Sequence, residues 1–430
     1  MGFTARALVV LSVFLLSGIN SFAQKDYARK VVDTLASPYM DGRGYVNDGC
    51  KKAAKYVYNQ FKNIGLLTFG KSYTQEFHFP INTYPKQLEL SVNGHIAKDG
   101  DDYIVIPITP SIKGNFPVVK FDRTILLDTN RLKEFLRKDY SNTFILIDDS
   151  GATDKKEKEV WESTRLNPFK AKGVIILCNK LTEETSDTLG DYTLIYALRK
   201  TEFSNAASIN LNIKNEFIKD FTSENLIGYV KGSVPDTFIV FSAHYDHLGR
   251  MADIYFPGAN DNASGVAMLL SLAKYYAQEK NKPKYSIAFI AFGAEEVNIR
   301  GSHYYVEHPL FPLSKIRFLV NMDIMGTGDE GLMAVNARIY TSAFHDLVKI
   351  NDSLHLLKEV KDRGPSANSD HYFFYANHVP DFFVYTLGGI KAYHDIYDRR
   401  ETLPFTNFNE VFKLLVQFTD DICMHRFLIP

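Results

Sequence analysis

Four runs in the second half of the chain, residues 238–243, 287–292, 318–322 and 382–385, are apolar without polar alternation, and ionisable side chains follow the first three closely: His244 and Asp246, then Glu295 and Glu296, then Asp323. A strand with one wet face alternates polar and apolar residues, so runs without that alternation call for strands covered on both sides. Strands of this kind, separated by loops and a long helical pattern, are how an α/β sheet flanked by helices is written. Open α/β sheets carry their ligands just beyond the carboxyl ends of their strands, so these ionisable residues are expected to meet in one crevice.

Two further residues belong with this set. Asp261 lies in the turn 257–262, directly ahead of a helical pattern in which Val266, Leu269, Leu270 and Ala273 share a face, with Asn262 or Ser264 available to cap its start. His394 comes from a later loop, 393–398. Singly, a His-x-Asp or a Glu-Glu pair is an ordinary surface or core feature. Together, several carboxylates gathered at strand ends require a cation, because burying them unpaired is costly. Two imidazoles with several carboxylates suit zinc first, with cobalt or manganese possible, whereas calcium favours all-oxygen coordination. Successive side chains at a strand end point opposite ways, so one of Glu295 and Glu296 can bind metal while the other handles protons. Asp246 and Asp398 are spaced to orient the rings of His244 and His394. His247, His303 and His308 have no matched role and read as structural or surface residues. Ser369, Asp370 and His371 are the residue types of a hydrolytic triad, but sequence neighbours rarely face one another and no Gly-x-Ser-x-Gly elbow occurs, which argues against a serine hydrolase.

The rest of the chain reads as two units and a leader. Residues 27–66 carry a helical pattern, with Ala53, Ala54, Val57, Tyr58 and Phe61 on one face and Gly65 as its stop. Short β-rich pieces then follow, so residues 85–215 are expected to form a smaller inserted domain, with 24–84 and 216–430 making up the larger one. The mixed charge run 154–159 reads as a solvated face. Lys plus Arg (49) nearly equals Asp plus Glu (50), so no broad field attracts nucleic acid. Residues 1–23 read as a signal peptide: Arg6, an apolar stretch too short to span a membrane, and small residues ahead of a cut before Gln24. An exported chain, periplasmic or secreted, is expected, with no stable membrane anchor after cleavage. Three widely spaced cysteines, Cys50, Cys178 and Cys423, do not form a disulfide scaffold.

In order along the chain, the segments 242–249, 258–265, Glu295-Glu296, Asn321-Met322-Asp323 and Tyr393-His394, with the opening segment 35–44, resemble the M28 family of co-catalytic zinc peptidases. The resemblance implies a mixed, largely parallel central sheet and two zinc ions per chain. Asp261 would bridge both ions, His244 and Asp323 would complete one position, Glu296 and His394 the other, and Glu295 would be the general base. It also implies that the inserted segment resembles a protease-associated domain, that a non-proline cis peptide follows Asp261, and that the loop holding Ser369, Asp370 and His371 lines the substrate pocket. Two metals would lower the pKa of a shared water and polarise the scissile carbonyl, Glu295 would shuttle the proton, and Tyr393, next to a ligand, could donate a hydrogen bond to the oxyanion. A free α-amine on one metal would make the chain an aminopeptidase acting on peptides. A glutaminyl-peptide cyclotransferase with one zinc, and a dipeptidase or carboxypeptidase, share these motifs and stay open, as do oligomeric state and preferred N-terminal residue. A non-catalytic binding protein ranks last, since all five ligands and the base are present.

Overall fold

The computed structural model describes residues 24–86 and 88–424; the expected signal peptide, residues 1–23, lies outside the described residues. Eight strands form the larger sheet: β1 (Thr74–Thr83), β2 (Glu216–Val230), β3 (Val234–His244), β4 (Tyr285–Phe292), β5 (Ile316–Asp323), β6 (Gly331–Val335), β7 (Val360–Asp362) and β8 (Asp381–Leu387). Their spatial order is β1-β2-β4-β3-β5-β8-β6-β7. The centre is parallel, β4 to β3 to β5 to β8, and antiparallel pairs join β1 to β2, β2 to β4 and β6 to β8. The sheet is therefore mixed, with a parallel core.

The runs without polar alternation have their cause in the packing. Along β3, Ile239, Phe241 and Ala243 face one core while Phe238 and Val240 face another, so both faces are dry. The first face is covered by α1 (Gly49–Ile64), α2 (Gly265–Tyr276), α3 (Thr341–Leu354) and α4 (Phe408–Met424), through residues such as Val57, Leu269, Leu347 and Leu415. On the other face lie Tyr305 and Phe374, from the short helices Arg300–Glu307 and His371–Ala376.

The helical pattern expected over 27–66 is interrupted. Residues 24–35 are helical, a 3₁₀ turn spans Pro38–Arg43, and α1 begins only at Gly49. Asp41, Gly42 and Arg43 all have left-handed backbone, with φ of 46, 65 and 55°. Pro38 and the glycines at 42 and 44 break the periodicity, and they have a packing reason: a Cβ on Gly42 would stand 2.3 Å from the Gly249 carbonyl oxygen. This turn packs against the segment that follows β3, where Arg43 bonds to the Tyr245 carbonyl.

At Thr83 the chain leaves the larger sheet, and at Glu216 it returns as Thr83's partner in the β1–β2 ladder. Between them a second eight-stranded sheet is built from Glu89–Val92, His95–Ile96, Tyr103–Val105, Ile112–Asp122, Phe144–Asp148, Gly173–Cys178, Thr193–Leu198 and Ser208–Ile213. It has its own core, where Phe121, Phe135 and Trp161 pack together. The charged run is the exposed side of the helix Lys155–Ser163, whose first amides bond to the Asp154 side chain. Leu248, Met251 and Phe256, from the larger unit, join this second core, so the two units share an apolar seam. The three cysteines are free, and no described helix is long and apolar enough to cross a membrane.

Candidate metal centre

His244 ends β3 and Asp323 ends β5, while Glu295 and Glu296 stand on the turn just after β4. Asp261 reaches them from the irregular turn Ala259–Ser264 that feeds α2, and His394 from the loop after β8. The Asp261–Asn262 peptide is cis. Asn262 caps α2: its side-chain oxygen accepts the Gly265 amide at 2.9 Å and its amide donates to the Met322 carbonyl at 3.0 Å, tying the turn to β5.

Asp261 lies at the middle. Its Oδ1 is 3.3 Å from His244 Nε2 and its Oδ2 is 3.1 Å from His394 Nε2. His244 Nε2 is also 3.3 Å from Asp323 Oδ2, and His394 Nε2 is 3.2 Å from Glu296 Oε2. Two ligands held about 2.0–2.2 Å from one tetrahedral ion stand roughly 3.3 Å apart, so each nitrogen–oxygen set has the spacing of ligands around a zinc-like cation. Asp323 Oδ1 is buried with no hydrogen-bond partner, which fits a further contact to such an ion. Glu295 stands slightly back, its Oε2 4.0 Å from His244 Nε2.

The electrostatics are those of a crowded acidic cleft. Burial, with Glu296, Asp370 and Asp323 nearby, holds the Glu295 carboxyl well above the usual range against the opposing pull of His244. Burial also pushes Asp246 up to about 6, and Asp370 and Asp398 to about 7. At Asp261 hydrogen bonds to both histidines outweigh burial and hold the carboxyl well below its ordinary value. Burial opposes charge on His244 and His394, yet the surrounding carboxylates outweigh it and raise both imidazoles. A cation relieves this excess of negative charge.

The supports differ from the sequence expectation in several places. Asp398 does not meet His394; its carboxylate accepts the amides of Asn260 (2.9 Å) and Asp261 (2.9 Å), because the loop folds it back under the Asp261 turn. The His394 ring is oriented by the Glu183 carbonyl, 3.0 Å from Nδ1. A carbonyl only accepts, so Nδ1 carries a proton and Nε2 faces Asp261 and Glu296. Asp246 does lie beside His244: its carbonyl is 3.2 Å from Nδ1 and its carboxylate 3.8 Å away. That carboxylate also accepts the amides of Glu295 and Glu296 at 3.1 and 3.3 Å, fixing the turn that carries them. Ser369, Asp370 and His371 are fully buried. Ser369 accepts from Asn321 at 2.8 Å and His371 stacks on Phe383, so neither lines an open pocket, while Asp370 faces the acidic centre. Tyr393 is about half exposed and stacks on the His394 ring, with centroids 4.0 Å apart.

Two residues at the centre were missed. His247 is not a bystander: it is completely buried, with Nδ1 2.6 Å from Glu296 Oε1. The available signal was its place three residues after His244. Arg43 is completely buried and gives five hydrogen bonds to main-chain carbonyls, those of Leu35, Tyr245, Pro257, Gly258 and Asp261, at 2.7–3.0 Å. Its signal was an arginine between two glycines, in a segment already singled out. His303 and His308 are peripheral, stacked on Phe373 and Tyr304.

A mixed α/β sheet with a histidine–carboxylate cluster at its strand ends has the donor set to hold metal ions, and the comparisons with known proteins bear on the same segment. Residues 225–419 match the model of peptidase family M28. It is 38% identical over 115 residues to aminopeptidase YwaD of Bacillus subtilis (strain 168), a match covering 25% of this chain and 23% of that protein. It is 32% identical over 113 residues to a probable leucine aminopeptidase 2 of Aspergillus oryzae, covering 26% and 21%. The chain thus spans about a quarter of the length of these curated relatives. In fold it is similar to BSAP, a zinc aminopeptidase from Bacillus subtilis, at a TM-score of 0.67 and 19% identity over 92% of this chain and 94% of that one. It is similar too to a peptidase M28 precursor from Shewanella amazonensis SB2B, at a TM-score of 0.70 and 16% identity over 96% and 98%.

Proposed function

We propose that the chain is an exported zinc aminopeptidase with two metal positions, removing N-terminal residues from peptides. The observation that carries this reading is the placement of Asp261, whose two oxygens each face a different histidine–carboxylate pair. His244 and Asp323 would hold one ion and Glu296 and His394 the other, with Asp261 shared between the two positions. Relatives described as aminopeptidases and zinc metalloproteases support the choice of metal and reaction. When bound, the zinc pair supplies Lewis acidity to the scissile carbonyl and makes an attacking water more acidic.

The chain's own residues do the rest. Glu295 belongs to neither histidine–carboxylate pair, so its carboxylate is the group free to take a proton from the attacking water and return it to the leaving amine. Tyr393, held over His394 by stacking, offers its hydroxyl to the developing oxyanion. Asp246 positions Glu295 and Glu296 through their amides, and Asp398 positions Asp261. Residues 85–215 form an inserted unit that we assign as a protease-associated-like domain.

The test is zinc content measured with hydrolysis of unblocked and N-acetylated aminoacyl substrates, with and without a chelator. Two zinc per chain and chelator-sensitive cleavage of unblocked substrates alone are expected. One zinc with ammonia released from glutaminyl peptides would replace this reading with a cyclotransferase.

A further inference from the structure

We propose that the second sheet unit is a working part of the metal centre: its 180–187 loop is a clamp that positions His394 and Glu296, and so sets the affinity of one metal position only. The inference rests on the two-metal reading above. Both main-chain groups of Glu183 engage His394: the Glu183 carbonyl takes the ring Nδ1–H at 3.0 Å, and the Glu183 amide donates to the His394 carbonyl at 2.8 Å. His394 has a left-handed backbone, φ 54°, a conformation that a non-glycine residue keeps only when its surroundings hold it.

The neighbouring contacts converge on the same loop. Lys180 Nζ donates to the carbonyls of Lys391 at 2.9 Å and Tyr393 at 2.7 Å, and pairs with Asp395 at 3.2 Å. Tyr397 donates to Asp101 at 2.7 Å, and Ile396 packs against the second unit's core. Glu296 is gripped as well: the Thr185 hydroxyl donates to its carbonyl, and Asp187 pairs with Arg300 just beyond it. His244 and Asp323, by contrast, are fixed on the ends of β3 and β5 by the larger sheet itself. The two halves of the centre therefore have different mechanical supports.

Residues that orient a metal-binding histidine typically govern metal affinity by 10- to 100-fold. The experiment is zinc binding to the full chain, measured by competition with a chromophoric chelator, for wild type and the Lys180→Met/Thr185→Val variant. We expect the variant to bind its first zinc as wild type does and its second about 10- to 100-fold more weakly. The conservative Lys180→Arg/Thr185→Ser variant should restore the second affinity. Arg123→Met, which breaks a pair with Glu157 elsewhere on the second unit, should leave both affinities unchanged. Unaltered second-site affinity in the Met/Val variant, or equal weakening of both sites, overturns the clamp. A wild-type chain that takes up fewer than two zinc overturns the two-metal reading, and the clamp with it.

Discussion

Replacing Arg43 with methionine keeps most of the side-chain length while removing every hydrogen-bond donor. Five carbonyls lose their guanidinium partner at once, in a site with no exposure to water. Asp261, Asp398, Asp246 and Glu296, whose charges Arg43 offsets, stay where they are. Hydrogen bonds to charged groups contribute about 1.5–3 kcal/mol each, but a simple sum overshoots, because methionine also removes the desolvation cost of the guanidinium. Losing one partner of a buried charge network costs about 3–5 kcal/mol, and that is the range expected here. With a urea m-value of about 3 kcal/mol/M or more, the unfolding midpoint should drop by roughly 1 M, read by circular dichroism. Arg43→Lys keeps the charge but has three donors at one point instead of a planar fork, so it should recover only part of the loss. A methionine variant whose midpoint lies within about 0.2 M of wild type would refute the claim that Arg43 holds the Asp261 turn in place.

Other substitutions separate chemistry from metal binding. Glu295→Ala should keep its zinc while turnover drops by about 10²- to 10⁴-fold; near-normal turnover would show that the base is another residue. Asp261→Ala should lose metal and activity together, since both positions share its carboxylate; zinc analysis after dialysis settles this. Burial pushes the thiols of Cys50 and Cys178 up to about 12 and about 11, so exposure decides their order: at pH 8 the partly exposed Cys178 should be modified first and the buried Cys50 only when the chain unfolds. Mass-spectrometric labelling order checks this.

The sheet was legible because its signal is local: an apolar run and the charged residue that ends it are adjacent in sequence, and burial of β3, β4 and β5 on both faces follows from composition alone. Supporting contacts were not legible where they depend on how a loop turns. Asp398 is four residues from His394, yet the loop aims its carboxylate at Asn260 and Asp261, while the carbonyl that orients His394 belongs to Glu183, 211 positions away in a different unit. His247 was set aside because it had no matched role within its motif, although its ring lies against Glu296. The helical periodicity of 49–64 was sound, but extending it back across Pro38 and Gly42 hid the turn that carries Arg43.

The adjacency of Thr83 and Glu216 in the β1–β2 ladder bears on how the chain assembles during synthesis. β1 is an edge strand among the described residues, with Phe77, Phe79 and Ile81 along its buried side, and it is made long before its sheet neighbour β2. Until residue 216 emerges, that apolar strand has no partner, the situation in which edge strands recruit other chains. Folding of residues 84–215 brings the two strand ends together, so the intervening unit acts as a clasp that shortens the search of β2 for β1. Damage to that clasp would first be seen as aggregation of nascent chains, before any loss of activity in the molecules that complete the fold.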